Sequence, residues 1–303
     1  MTILVTGGTG NLGTELVPLL IRRGHSVRVL TRDPERTRAR LAETADVTLG
    51  DVRSPDTLGD AVRGADAIVS AMTGFGPGAH GPKAIDYQGN LNLIRAAEAA
   101  GVRRFVLVSM HGAAADHPME LVRMKHRAEQ ALRVSRLDWV ILRPNVLMEL
   151  WARIVGTPIV AKGKAMVFGQ GDNPINFNSA KDVARFIELA LSESELSRSV
   201  LEVGGPENVT LNQLVERVQQ VTGRKAVARH VPLAMMRLSY LMMRPFKPDV
   251  AGMIQAGIAF DTVEMSFDAS QLRRRFPQVE LTKIDDVLVR QFATASSSAA
   301  TAS

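Results

Sequence analysis

The run Val5-Thr6-Gly7-Gly8-Thr9-Gly10-Asn11-Leu12-Gly13 follows the apolar triplet Ile3-Leu4-Val5 directly and opens a helical pattern over 12–23. Glycine admits backbone angles closed to other residues and leaves no side chain between the turn and an approaching group. A strand that ends in such a turn and restarts as a helix begins a βαβ unit, and the unpaired N–H groups of the helix's first turn form a site for phosphate. The glycines satisfy both G-x-x-G-x-x-G and G-x-G-x-x-G. The turn therefore predicts a dinucleotide-binding α/β fold, with the pyrophosphate against Thr6, Gly7, Gly8, Thr9, Gly10, Asn11, Leu12 and Gly13.

The following residues keep that rhythm. Short apolar runs at 27–30, 47–49, 67–70, 105–109 and 139–143 read as strands. Between them lie helical patterns: 12–23 stops at Gly24, 34–41 starts behind Asp33, and 85–100 stops at Gly101. Pro18 predicts a bend in the first helix. Alternating strands and helices imply a doubly wound parallel sheet of Rossmann type. After Pro144 the pattern breaks into short segments near 159–160 and 166–168, a turn-rich stretch at 169–174 and a helix over 179–191. We expect a Rossmann domain over 1–155, with 177–205 returning to it through a strand at 199–203. A smaller C-terminal substrate lobe takes 156–176 and 206–293, including helices at 211–221 and 233–243. The tail 294–303, all Ala, Ser and Thr, offers nothing to bury and is expected to be disordered.

Composition narrows the chemistry. Among 303 residues there is no cysteine, which excludes disulfides, thiolate metal sites and cysteine nucleophiles. The six histidines are dispersed and predict no metal site. The net charge of +6 is scattered over helices with no recognition module, so no nucleic-acid partner is expected. No export signal is visible at the start, and the most apolar later stretch, 231–246, is interrupted by Arg237 and Arg244. It falls short of the ~20 apolar residues of a membrane helix. A cytoplasmic protein with no membrane partner is the expectation.

The end of the second strand selects the dinucleotide. An Asp or Glu there binds the ribose 2′-hydroxyl of NAD, whereas an arginine accommodates a 2′-phosphate. The sequence is Thr31-Arg32-Asp33-Pro34, with Asp33 placed as a helix cap and Arg32 left for the phosphate, so NADPH is favoured over NADH. Asp51, followed by Val52, either accepts a hydrogen bond from the adenine amino group or caps the next helix. Ala71 and Met72, after the fourth strand, let backbone pass close to the ribose. The glycine-rich loop 74–83 forms a rim.

These segments, with Tyr87-Gln88-Gly89-Asn90-Leu91, the strand at 105–109, Arg143-Pro144 and Lys181-Asp182-Val183-Ala184, resemble the short-chain dehydrogenase/reductase superfamily in its atypical, NmrA-like branch. The resemblance covers nearly all of 1–290. In that superfamily a Tyr-x-x-x-Lys pair transfers a proton while hydride passes to or from the nicotinamide. Lys125 occupies the lysine place, but Leu121 stands where the tyrosine belongs.

The resemblance thus implies an NADPH-dependent oxidoreductase acting on a small, hydrophobic carbonyl, quinone or enone-like substrate. Lys125 would contact the ribose or donate the proton, as in isoflavone-reductase-like relatives, and Ser109 and Pro144 would border the cofactor. It equally implies a non-catalytic alternative, since NmrA-type regulators bind the dinucleotide without redox chemistry and other relatives assemble photosynthetic complexes. A protein partner belongs to that alternative. His111, in the loop over the nicotinamide position, is a second candidate for proton transfer. The methionine-rich run 233–243 is core, the lining of an apolar pocket or a docking face.

Overall fold

The computed structural model describes residues 1–41, 45–76 and 79–300, side chains excepted from 293 onward. The tail expected to be disordered, 294–303, lies outside the residues whose side chains are described. The first elements are β1 (Thr2–Thr6), α1 (Gly13–Arg22), β2 (Ser26–Thr31), α2 (Pro34–Arg40), β3 (Asp46–Leu49), α3 (Leu58–Val62), β4 (Ala67–Ser70), α4 (Asn90–Ala99), β5 (Arg104–Val108), α5 (Glu120–Arg133) and β6 (Asp138–Pro144). There follow β7 (Val146–Leu147), α6 (Met148–Lys162), β8 (Lys164–Phe168), β9 (Ile175–Asn178), α7 (Ala180–Ser192) and β10 (Ser199–Val203). The chain closes with β11 (Asn208–Val209), α8 (Leu211–Thr222), β12 (Val227–Val231), α9 (Leu233–Met243), α10 (Pro248–Thr262), α11 (Ser270–Arg275) and α12 (Ile284–Ala300).

Two compact units result: Met1–Pro144 with Val183–Val203, and Asn145–Asp182 with the chain from Gly204 onward. The first holds a seven-stranded parallel sheet in the order β10-β6-β5-β4-β1-β2-β3. Because both faces of a parallel sheet are covered, its central strands are apolar throughout, and Ile3, Leu4 and Val5 have no exposed surface. Alternate residues divide between the faces: Leu4, Ile68, Phe105, Leu107 and Ile141 join Leu58, Leu93 and Leu132 from α3, α4 and α5 in one core. Strand order reverses between β1 and β4, the switch point at which open α/β sheets form a crevice for ligands. α1 runs as one helix through Pro18, and Arg23 at its end pairs with Glu188 of α7 at 2.6 Å.

The second unit is built around Trp151, Phe177, Leu214, Phe260 and Leu288, with the Trp151 and Phe260 rings 4.1 Å apart. Its small sheets are β11-β9-β7 and β12-β8.

Candidate functional site

Two glycines of the turn are hemmed in by backbone, Gly7 by Ala71 and Gly13 by Gly7 and Gly8. Gly7 has φ +77°, and a Cβ there would lie 2.5 Å from the Ala71 carbonyl oxygen. A Cβ at Gly13 would collide with the backbone of Gly7 and Gly8, and Gly10 N–H donates to Gly7 O at 3.0 Å. Leu12, at the N-cap position before α1, makes no side-chain cap. Thr14 Oγ1 on the first turn of the helix bonds back to Gly10 O and Asn11 O, each at 3.1 Å, and the glycines let backbone come close to any group seated there, as a pyrophosphate cradle needs. The residues present fit a dinucleotide.

In front of this turn opens a cleft of about 330 Å³, bounded by the ends of β1, β2, β3 and β4. Thr6, Gly7, Thr9, Gly10, Arg32, Asp51, Val52, Ala71 and Met72 line it, as do Leu30, Thr31, Gly50, Thr73, Gly74, Ala79, His80 and Ile85. Gly8, Asn11, Leu12, Gly13, Ser109, Lys125 and Pro144 are not among its walls. Gly8 and Gly13 lie behind it, where their missing side chains allow the turn to pack on Val29 and on itself.

Arg32 is exposed on the cleft wall directly after β2. Its neighbour Asp33 caps α2, accepting from Arg36 N–H at 3.0 Å with Pro34 at the first helical position. That carboxylate is committed to the helix. Asp51 folds back on Arg53, accepting from its backbone N–H at 2.9 Å and its Nε at 3.1 Å. The hydrogen bonds from the Arg53 side chain, aided by its charge and that of Arg32, outweigh burial and hold the Asp51 carboxyl below the usual range. It therefore faces the cleft ionised, as an acceptor. The turn after it, Pro55–Thr57, has no side-chain cap.

Behind the rim of the cleft sits an ion pair that sequence spacing does not reveal. Lys125 on α5 is buried, with Nζ 3.0 Å from Met72 O, 2.9 Å from Val108 O and 3.0 Å from Asp86 Oδ1. Asp86 has no exposed surface and lies on a π-helical turn, Lys83–Gly89, that leads into α4. Its Oδ2 accepts from Gly74 N–H at 2.8 Å. Burial pushes the Asp86 carboxyl above its ordinary range, while the Lys125 charge and the Gly74 N–H pull the other way. The polar chain continues: Asn90 Nδ2 donates to Asp86 O at 2.8 Å, and Ser70 Oγ donates to Asn90 Oδ1 at 2.6 Å. Leu121 precedes Lys125 by one turn and brings no acid or base.

A second network joins the ends of β5, β6 and β10. Wholly buried Glu129 on α5 accepts from Ser109 Oγ at 2.5 Å and from Arg143 Nε and Nη2 at 2.8 and 2.6 Å. Arg143 Nη1 reaches Glu202 Oε1 at 3.0 Å, and Glu202 Oε2 lies 2.8 Å from His111 Nδ1. His111 N–H also donates to Pro144 O at 2.9 Å, fixing its backbone. Burial raises the Glu202 carboxyl, but the bonds to His111 and Arg143 outweigh it and set the pKa below the ordinary value. Hydrogen bonding to Glu129 keeps the Arg143 guanidinium charged. Serine, histidine and Arg143-Pro144 were each visible in the sequence; Glu129 and Glu202 were not, since nothing local marks either as a partner. His117 is different: its Nδ1 accepts from Met119 N–H at 3.1 Å, and burial lowers its pKa. Arg127 stacks over the Tyr87 ring at 5.8 Å. Among the described residues, no group of three His, Cys, Asp or Glu is placed to hold a metal.

The profile of the NAD(P)H-binding family matches residues 7–194, more than half of the chain. Photosystem II assembly factor Ycf39 of Synechocystis sp. is 29% identical over 82% of this chain and 76% of its own length. The NAD(P)H azoreductase of Xenophilus azovorans is 28% identical over 73% of this chain and 74% of its own. Among solved structures, the NADPH-dependent quinone oxidoreductase of Escherichia coli complexed with NADPH superposes with a TM-score of 0.78 at 21% identity, covering 96% of this chain and 99% of the other. The fold is shared at that level. The glycine cradle and, Thr6 apart, the walls of the switch-point cleft fall within the matched residues, and the chain belongs to the NAD(P)H-binding family.

Proposed function

We propose that this protein is an NADPH-dependent oxidoreductase that reduces a small carbonyl, quinone or enone-like compound, with His111 as proton donor. The observation that carries this reading is the His111–Glu202 contact of 2.8 Å at the C-terminal edge of the sheet. A carboxylate on one ring nitrogen fixes the orientation of the imidazole, as a positioned general acid requires. Arg143 and Glu129 hold Glu202 in turn. The bound dinucleotide supplies the hydride. Arg32, on the cleft wall with Asp33 committed elsewhere, supports NADPH over NADH. Relatives named as an azoreductase and as an alkanoyl-oxo-dihydrofuranyl methyl phosphate reductase support reduction. Lys125, whose ammonium would have to leave three oxygen neighbours to donate a proton, is assigned to holding Met72 at the cleft rim.

An absorbance screen of NADPH oxidation across aldehydes, ketones and quinones tests the reading. A turned-over substrate is expected, with kcat falling about 10²-fold or more in His111→Ala, the usual contribution of a positioned acid. Unchanged turnover in that variant removes His111 from the chemistry.

Leu121 at the tyrosine place and the similarity to the assembly factor favour a second reading, in which the nucleotide gates binding of a protein partner and is not oxidised. Under it, partner capture changes with NADPH while no compound in the screen consumes it.

A further inference from the structure

α9 is apolar on two opposite faces. Its inner face packs on α10, where Met236 Cε would lie 2.7 Å from a Cβ at Gly257. The outer face carries Met235, Leu238, Leu241 and Met242, continued by Phe246 just beyond the helix; each is more than half exposed, and Phe246 is 83% exposed. At 100° per residue these five fall within one arc, with Arg237 and Arg244 along one flank. Of the readings open for this run, core packing accounts only for the inner face. Large apolar patches rimmed by polar groups on a folded surface mark contact sites.

The charge of the segment says what covers it. From Arg224 to Pro248 there are six Lys or Arg and no Asp or Glu. A second copy meeting this face about a twofold axis would set Arg237, Arg244 and Lys247 near their own counterparts, like charge against like. An anionic surface does the opposite. Flexible methionine and leucine chains, an exposed phenylalanine and flanking arginines suit the headgroup boundary of a bilayer, where apolar atoms sink and long basic side chains reach back to the phosphates. Among the described residues no helix is long and apolar enough to cross a membrane, so such a helix would lie in the surface plane.

We propose that α9 and the turn after it form a docking face for an anionic lipid surface. Neither the turnover of NADPH nor its cleft enters this inference.

Co-sedimentation of the full chain with vesicles of equimolar phosphatidylglycerol and phosphatidylcholine, against phosphatidylcholine alone, tests it. Binding to the anionic vesicles at low salt, released at high salt, is expected. Leu238→Glu with Met242→Glu should weaken that binding by about tenfold or more while NADPH affinity stays unchanged. Arg237→Glu with Arg244→Glu should abolish the preference for anionic vesicles. The proposal is overturned if the chain stays in the supernatant with both vesicles, or if the variants bind as the unmodified protein does. It is equally overturned if light scattering shows a dimer that Leu238→Glu with Met242→Glu converts to monomer, since the face would then be covered by a second copy.

Discussion

Lys125 Nζ and Asp86 Oδ1 lie 3.0 Å apart in the interior, and their remaining bonds grip the same short segment from two sides, Lys125 at Met72 O and Asp86 at Gly74 N–H. Met72, Thr73 and Gly74 line the dinucleotide cleft. A buried pair is weak evidence for net stability, because desolvation offsets the attraction, but losing one partner leaves the other charge unmatched. The pair is a clamp on the rim.

Asp86→Leu and Lys125→Met should each therefore destabilise the fold by about 3–5 kcal/mol, while the double variant should lose less than the sum. Urea unfolding of the four proteins measures the coupling. The double variant, if folded, should bind NADPH more weakly than the parent because Met72 and Gly74 lose their anchors. Full additivity would show that the two charges do not act together.

The glycine turn allows a graded test. Gly7→Ala places a Cβ 2.5 Å from Ala71 O at a φ of +77°, whereas at Gly10 the nearest obstacle, Gly7 O, is 3.3 Å away with no positive φ. Gly7→Ala should remove NADPH binding and cost stability, through left-handed strain of about 1–2 kcal/mol plus the clash. Gly10→Ala should keep the fold and lower affinity mildly. Nicotinamide fluorescence titration and thermal unfolding of the two variants separate the cases, and equal losses would show that the turn tolerates neither residue for a shared reason.

How much of this was legible beforehand depends on locality. The strands of the main sheet announced themselves as apolar runs because they are buried on both faces, and the caps at Asp33, Gly24 and Gly101 are local chemistry. Along α6 the sequence shows only short segments, because Gly156 and Pro158 interrupt the helical pattern. Gly156 is present because the Phe292 ring occupies the space a side chain would need, a tertiary cause with no local trace. The helix expected over 85–100 opens instead as a π-helical turn at Lys83–Gly89, which carries Asp86 inward. β12 escaped because exposed residues dominate both of its faces. At the site the nucleotide cradle was readable and the charge pairs were not, since Lys125 meets Asp86, and Arg143 meets Glu129 and Glu202, only once the sheet has formed.

Under the proposed preference for NADPH, Arg32 is the residue that selects the dinucleotide. It lies on the cleft wall after β2, while Asp33, next in sequence, accepts from Arg36 N–H. A charged hydrogen bond to a phosphate contributes about 1.5–3 kcal/mol. Arg32→Ala should therefore raise the Kd for NADPH by roughly 10- to 100-fold and leave that for NADH nearly unchanged. Parallel fluorescence titrations with both nucleotides provide the check; equal affinities in the unmodified protein would remove the 2′-phosphate assignment.

Glu202 gives the fold an acid-sensitive component. Its carboxyl is held below its ordinary value of 4.5, with burial opposing and the bonds from His111 and Arg143 prevailing. A carboxyl whose pKa is lower folded than unfolded stabilises the native state fully above the unfolded value, and that contribution disappears as pH falls through the folded one. With the side chain 35% exposed, the contribution should be no more than about 1 kcal/mol after screening. Glu202→Gln should thus be less stable than the parent at pH 7, and the gap should narrow as pH drops below 4.5 toward the folded pKa. Urea midpoints of both proteins across that interval measure it. A gap that held constant to acid would mean that the ionised carboxylate is not what Glu202 contributes. A parallel loss of turnover at pH 7 would tie the same contact to orienting His111.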